Sequence, residues 1–395
     1  MNSKKTDLQD VLFHCLVFNE AALVVVQPWI TGFIQSILIY GLWAELILLT
    51  ALVISRNASS IDKRFGWFVG IVVAFVCSML LGNGSKGPAI VGFLEFFLTL
   101  LPYFWTNYMH YDNSHLTAIR VSTVVKGLFF ILTSFTAKAY APYISQGIAI
   151  YDGSLTLGYT NPNITGILIM NTAAVLLSMI RDRDADEGRF RRWIVILLSA
   201  YIFFLMYKTQ SRIVIVCGAL LLLAYFGRNL NFTRTVLANK WTIWIIILLP
   251  LVFLYGFYYL YHNNPNLMFL GAQVYSRTRI YDVVLASFEK NIWVGDVLTW
   301  YFQNSHNGLL VVLANIGIIG AIFYLFYMRS CIGRYADLVK SNENSNVLPY
   351  LMILIISIHS CVEAAMVSGG VQYAAEVAVI CMLCERNRER QRVSS

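Results

Sequence analysis

His306 stands in Ser305–His306–Asn307–Gly308, where a long uncharged apolar run begins. An imidazole titrates near neutrality, so at a wet membrane surface it is suited to taking a proton from a hydroxyl. A plain interfacial polar residue at a helix start is the other reading of this position. Arg212 closes Lys208–Thr209–Gln210–Ser211–Arg212, a turn so short that the side chain must lie at or just beneath the surface between two apolar runs. A guanidinium there either snorkels to the interface or grips phosphate oxygens bidentately. Arg277 and Arg279 lie two apart in Ser276–Arg277–Thr278–Arg279. With a helix beginning near Thr278, Arg279 falls in its first turn and Arg277 points out from the preceding loop. Solvated charge and a pocket for an anion, shared with Arg212, both remain open. The sequence has no Walker loop, Rossmann glycine fingerprint, HExxH or GxSxG, and no outer carboxylate cluster to hold a metal. The chemistry this predicts is built on cations and a base, with no cofactor.

The elements that must position these groups are membrane spans. Of the 395 residues 58% are hydrophobic and 13% charged, and the mean hydropathy is +0.64. Roughly twice that charge would be needed to cover a soluble domain of this size. Apolar runs near the ~20 residues that cross a hydrocarbon core fall at about 9–27, 34–55, 67–82, 88–106, 120–136, 164–180, 193–208, 211–227, 241–261, 307–328, 347–363 and 370–385. The predicted fold is therefore all-α: one polytopic bundle over 1–395 with about twelve spans. Pro28 and Trp29 break the first apolar stretch, so one long helix with an interfacial piece competes with two spans there. The first segment carries Glu20 and has no small-residue cleavage pattern, which reads as a retained span rather than a signal peptide.

Charge placement sets the expected orientation. Seven of the 29 basic residues (Lys86, Lys138, Lys208, Arg212, Arg277, Arg279, Lys290) fall on one side and Lys126 lies within a span, leaving 21 on the other side. That bias predicts both termini in the cytoplasm. The net charge of +8 then reports topology and anionic lipid rather than a nucleic-acid partner. Cysteines 15, 77, 217, 331, 361, 381 and 384 lie in or beside spans, and Cys381–Cys384 forms a CxxC with no second pair. They read as small packing residues.

Two outer loops are long, about 137–163 and 262–306. The second carries a helix-like core, Arg279–Phe288, with Ile280, Val283, Val284 and Phe288 apolar. It is expected to pack as an amphipathic helix on the outer membrane face. Glu45, Glu95, Glu363 and Glu376 lie in or near spans, where a carboxylate needs a partner. Glu363 is expected to pair with an outer arginine, and Glu376 to be deeper and protonated or hydrogen-bonded. Gly317 and Gly320 are expected to allow close helix approach.

His306–Asn307, nine residues, then Gly317–x–x–Gly320 resembles the H[NSQ]x9GxxG signature of the Wzy-type O-antigen polymerase and O-antigen ligase superfamily. The arginine-started segment through Asn291–Ile292–Trp293–Val294–Gly295 resembles that family's loop helix and "nPlxG" turn, without its proline. Thr209–Gln210–Ser211–Arg212 resembles its "t.SR" motif and Asn161–Pro162–Asn163 its "NpN" motif. The resemblance covers about 158–325 and implies a GT-C-like glycosyltransferase on the outer face of the bacterial inner membrane. Its donor would be an undecaprenyl-pyrophosphate-linked oligosaccharide, and a chain-length regulator protein is an implied partner. Carried over by motif, His306 would be the base and Arg212 and Arg279 the pyrophosphate ligands, with Arg277 as the alternative. Asn307, Tyr281, Asn163 and Glu363 are expected to bind substrate. Polymerase is the expected activity, in O-antigen (lipopolysaccharide), capsule or exopolysaccharide synthesis. Ligation to lipid A core and lipid-linked oligosaccharide flipping are the alternatives.

Overall fold

A computed structural model describes residues 7–30, 32–58, 62–82, 86–109, 113–140, 153–159, 161–181, 189–264, 268–269, 272–273, 275–296, 306–341, 347–363 and 370–394. At 86–89, 181, 189–191, 261, 341, 386–394 and the described part of 268–279 it describes the backbone alone. The helices are α1 (Leu8–Val26), α2 (Phe33–Asn57), α3 (Lys63–Leu81), α4 (Lys86–Trp105), α5 (Asn113–Ser134), α6 (Pro162–Arg181) and α7 (Arg189–Lys208). They continue with α8 (Arg212–Gly227), α9 (Asn231–Leu237), α10 (Lys240–His262), α11 (Tyr275–Lys290), α12 (Gly308–Ser341), α13 (Val347–His359) and α14 (Val371–Ser394). Between α10 and α11, β1 (Met268–Phe269) pairs antiparallel with β2 (Ala272–Gln273).

The chain is a multi-pass helical membrane protein. Among the described residues eight helices, α1 to α6 with α10 and α12, contain stretches long and apolar enough to cross a bilayer. Two more apolar helices, α8 and α13, are shorter, and α7 begins, and α14 ends, in a charged stretch. Side chains that would be core in water face outward instead: Phe33 is 79% exposed, Leu80 73% and Leu132 70%. Such a surface is stable only against lipid. The protein's own core lies along α6, α13 and α14, whose described apolar residues are almost all buried.

Several helices extend well beyond the apolar runs at one end. The helices start at Lys63, Asn113 and Arg189 rather than at 67, 120 and 193, and α12 runs to Ser341 rather than 328. Hydropathy finds the stretch inside hydrocarbon, whereas backbone hydrogen bonding continues into the charged interface. At the N-terminus there are two helices, not one. The first stops at Val26, before a turn holding Pro28, and Gly32 takes φ 97° at the start of α2. Arg56 at the end of α2 donates to Asp7 at the start of α1, so the pair is antiparallel.

The lone mid-span lysine is accounted for. Lys126 on α5 donates to Glu20 on α1 at 2.9 Å and to Glu376 on α14 at 2.9 Å, with all three side chains at most 3% exposed. Each carboxylate is thus paired at a depth where an isolated one is costly, and three helices are tied together. Lys126→Met leaves two carboxylates facing each other and is expected to destabilise by about 3–5 kcal/mol. Thermal unfolding in detergent checks this, and the E20Q/K126M/E376Q triple variant is expected to recover most of the loss.

Candidate functional site

The starts of α6, α8 and α12 and the end of α13 meet at one end of the bundle. Asn161 caps α6, its side chain accepting from the Asn163 backbone N–H at 2.8 Å, and Pro162 occupies the first helical position where no N–H is needed. That leaves the Asn163 side chain pointing into the bundle end. Its Nδ2 donates to Glu363 Oε1 at 2.5 Å, and its Oδ1 accepts from the Ser211 hydroxyl at 2.6 Å. Ser211 stands at the N-cap of α8 but makes no capping bond with its side chain. The hydroxyl that would ordinarily satisfy the helix terminus is used to hold Asn163.

The second oxygen of Glu363 lies 3.2 Å from His306 Nδ1. With the proton on Nδ1, the ring donates to the carboxylate and Nε2 is left as an acceptor toward the exposed side. A carboxylate that fixes the tautomer and orientation of an imidazole is the arrangement a general base requires. Glu363 is 6% exposed while the His306 side chain is 26% exposed, so the carboxylate is sheltered and the ring remains reachable. Glu363 was expected to pair with an outer arginine; its described bonds run to Asn163 and His306. The reason is local: Glu363 N–H bonds to His359 O at the end of α13, and Gly308 N–H to Ser360 O, which sets the two chain segments side by side.

His306 takes φ 51°, and the other described non-glycine residues with positive φ are Leu157 and Gln210. All three lie in the segments that lead into α12, α6 and α8. A non-glycine residue in this region costs about 1–3 kcal/mol and is held only where surrounding bonds over-determine it. For His306 the neighbouring Asn307 supplies them. Its Oδ1 accepts from Leu310 N–H at 3.0 Å as the cap of α12, and its Nδ2 donates to Pro250 O on α10 and Cys361 O after α13. Asn307 is fully buried, as is Tyr281, which packs with Val284, Leu310, Ala314 and Cys361. Both were expected to bind substrate; both side chains are buried, beside the segment that carries His306.

Below this point α12 breaks. Gly317 has φ 64° and ψ −171° inside the helix, and the turn after α11 fills the break. Ile318 N–H donates to Ile292 O at 3.0 Å, Ile319 N–H to Trp293 O at 3.2 Å, and Asp296 N–H to Ala314 O at 2.8 Å. The broken helix exchanges its own bonds for bonds to the turn. A Cβ on Gly317 would sit 2.3 Å from Trp293 O, and one on Gly295 2.6 Å from the Gly317 nitrogen. Gly317 is therefore a site of loop docking, not of the helix–helix approach expected of it.

Arg212 begins α8, one residue from Ser211, and is exposed with no hydrogen bond or ion pair among the described residues. A free guanidinium beside a helix N-terminus is a favourable place for an anion. The loop helix starts at Tyr275, so Arg277 and Arg279 both lie in it rather than on either side of its start. Residues two apart on a helix are about 200° apart around the axis, so the two cannot serve one face. Their side chains lie outside the described residues. Val283 and Trp293, on and after α11, are exposed while Tyr281 and Val284 are buried, so α11 is amphipathic and packs on α10 and α12. Sequence reasoning quoted Ser211 and Asn161 within motifs but gave neither a role of its own; their positions just before apolar runs were the available sign.

No His, Cys, Asp or Glu cluster suited to a metal occurs among the described residues. The sequence matches no model of a known protein family and no curated protein.

Gly317→Ala is expected to undock the 291–296 turn while leaving the spans folded. Hydrogen exchange at the Ile318 and Ile319 amides should accelerate by roughly tenfold or more.

Proposed function

We propose that the protein is a Wzy-type polysaccharide polymerase, a glycosyltransferase of about twelve spans with both termini in the cytoplasm and its site on the outer face. It extends O-antigen, capsule or exopolysaccharide by joining undecaprenyl-pyrophosphate-linked repeat units. The observation that carries this reading is the continuous chain of bonds Ser211–Asn163–Glu363–His306. Four residues far apart in sequence converge there, three of them in the segments that resemble that superfamily's motifs.

The geometry suits the reaction. An acceptor sugar hydroxyl attacks the anomeric carbon of the donor, and its proton passes to His306 Nε2. The anomeric C–O bond to the pyrophosphate breaks, and the electron pair leaves on the pyrophosphate oxygen. Glu363 holds the ring and stabilises the imidazolium that forms. Arg212, with Arg279 or Arg277, neutralises charge developing on the leaving group. Nothing in these steps requires a metal.

Extension of synthetic undecaprenyl-pyrophosphate repeats by the purified protein should give a ladder of lipid-linked products. His306→Ala is expected to slow extension by about 10²–10⁴-fold, and Arg212→Gln by about 10²–10³-fold. An unchanged ladder from His306→Ala would remove the base from the mechanism. Transfer of glycan to lipid A core without extension of a lipid-linked repeat would replace polymerase by ligase. In cells, single repeats that reach the outer face in His306→Ala support the enzyme, and their retention inside supports a flippase.

A further inference from the structure

At the end of the bundle opposite His306, a cleft of about 430 Å³ opens between the start of α3, the start of α10 and the last turns of α12. Its lining includes Lys63, Arg64, Lys240, Arg329, Arg334 and Lys340, against two acidic groups, Asp62 and Asp337. Asp62 is already committed: Arg64 binds it through Nε and Nη2, and that contact, working against burial of the carboxylate, holds Asp62 below its usual range. Arg334 is held from behind by Glu385 at 2.8 Å. Lys63, Lys240, Arg329 and Lys340 enter no ion pair among the described residues.

The guanidinium groups carry the argument. Arg64 is 9% exposed, and its Nη1 is buried with no hydrogen-bond partner among the described residues, as are Arg329 Nε and Arg334 Nη1. A buried N–H on a charged group left unpaired is costly, and the three guanidinium side chains that carry one line a single basic cleft, the setting for an acceptor with several oxygens. We propose that this cleft binds the phosphate headgroup of an anionic phospholipid.

The surroundings favour a lipid over a soluble phosphate. The same three helices form an aromatic cluster in which Trp67 stacks on Phe326 at 5.0 Å and Trp244 meets Phe326 edge-on at 6.0 Å. Trp241, 65% exposed, lies under Lys240. Tryptophan in such a belt marks headgroup depth. Toward the middle of the bundle the helices present exposed Val69, Val73, Ile245 and Ile322, a surface on which acyl chains can lie. Basic pockets between spans are a known way of holding such headgroups.

The proposal is independent of the polymerase reading, since it concerns the other end of the molecule. The full-length protein, delipidated in detergent, is titrated by native mass spectrometry with cardiolipin, phosphatidylethanolamine and inorganic pyrophosphate. Cardiolipin is expected to bind in preference to phosphatidylethanolamine, and R329Q/K340Q to weaken it by roughly tenfold or more. K63Q/K240Q, which alters only exposed lysines, is expected to weaken it in the same direction. Thermal unfolding in detergent identifies a variant that fails to fold, and the other pair then decides. Equal binding of the two lipids, or unchanged cardiolipin binding by a folded variant, overturns the proposal. So does pyrophosphate that binds as tightly as cardiolipin and displaces it, because the ligand is then a soluble anion.

Discussion

A carboxylate buried at the end of a membrane span has to be satisfied at both oxygens or it costs more than the fold can bear. Glu363 is that carboxylate, and its two described bonds reach different parts of the bundle, to Asn163 at the start of α6 and to His306 before α12. Asn163 in turn is held by Ser211 at the start of α8. Three helix starts and one helix end are therefore locked around a single negative charge. The same bonds that make the charge tolerable give the imidazole its orientation, so stability and chemistry rest on one interaction.

Holding His306 at a left-handed φ needs a rigid base, and α12 supplies it by being broken. The turn after α11 takes over the backbone bonds freed at Gly317, while Asn307 pins the top of the helix to α10 and α13. The result is a short helical segment clamped at both ends. At the lower clamp Gly295 and Gly317 meet backbone to backbone, where a side chain on either would collide. Far from the site, the Glu20–Lys126–Glu376 triad does comparable work in the membrane interior, without an exposed group that could act on a ligand.

Much of this was legible in the residues. Apolar runs located a helix in every predicted segment because the hydrocarbon core imposes a length and a composition. Asn163, Glu363 and His306 were each singled out, and all three meet. What sequence could not supply was pairing. Glu363 was expected to pair with an outer arginine; its described bonds to Asn163 and His306 follow from how α13 ends, which no spacing in the sequence indicates. Asn307 and Tyr281 were expected to bind substrate by type and position; that both are buried is a property of packing, which spacing does not show. Gly317 and Gly320 fit a helix-packing pattern as well as a helix break, and spacing alone does not separate the two. Ser211 was quoted only within its motif, and the bond from its hydroxyl to Asn163 is a matter of packing.

The central claim is that His306, oriented by Glu363, accepts the proton of the attacking sugar hydroxyl. Single-turnover release of undecaprenyl pyrophosphate by the purified protein tests it most directly, with donor binding measured on the same sample. The account predicts that the wild type releases one lipid pyrophosphate per glycosidic bond formed. It predicts that His306→Ala binds the donor with unchanged affinity and releases almost none. Release from His306→Ala at the wild-type rate would contradict it.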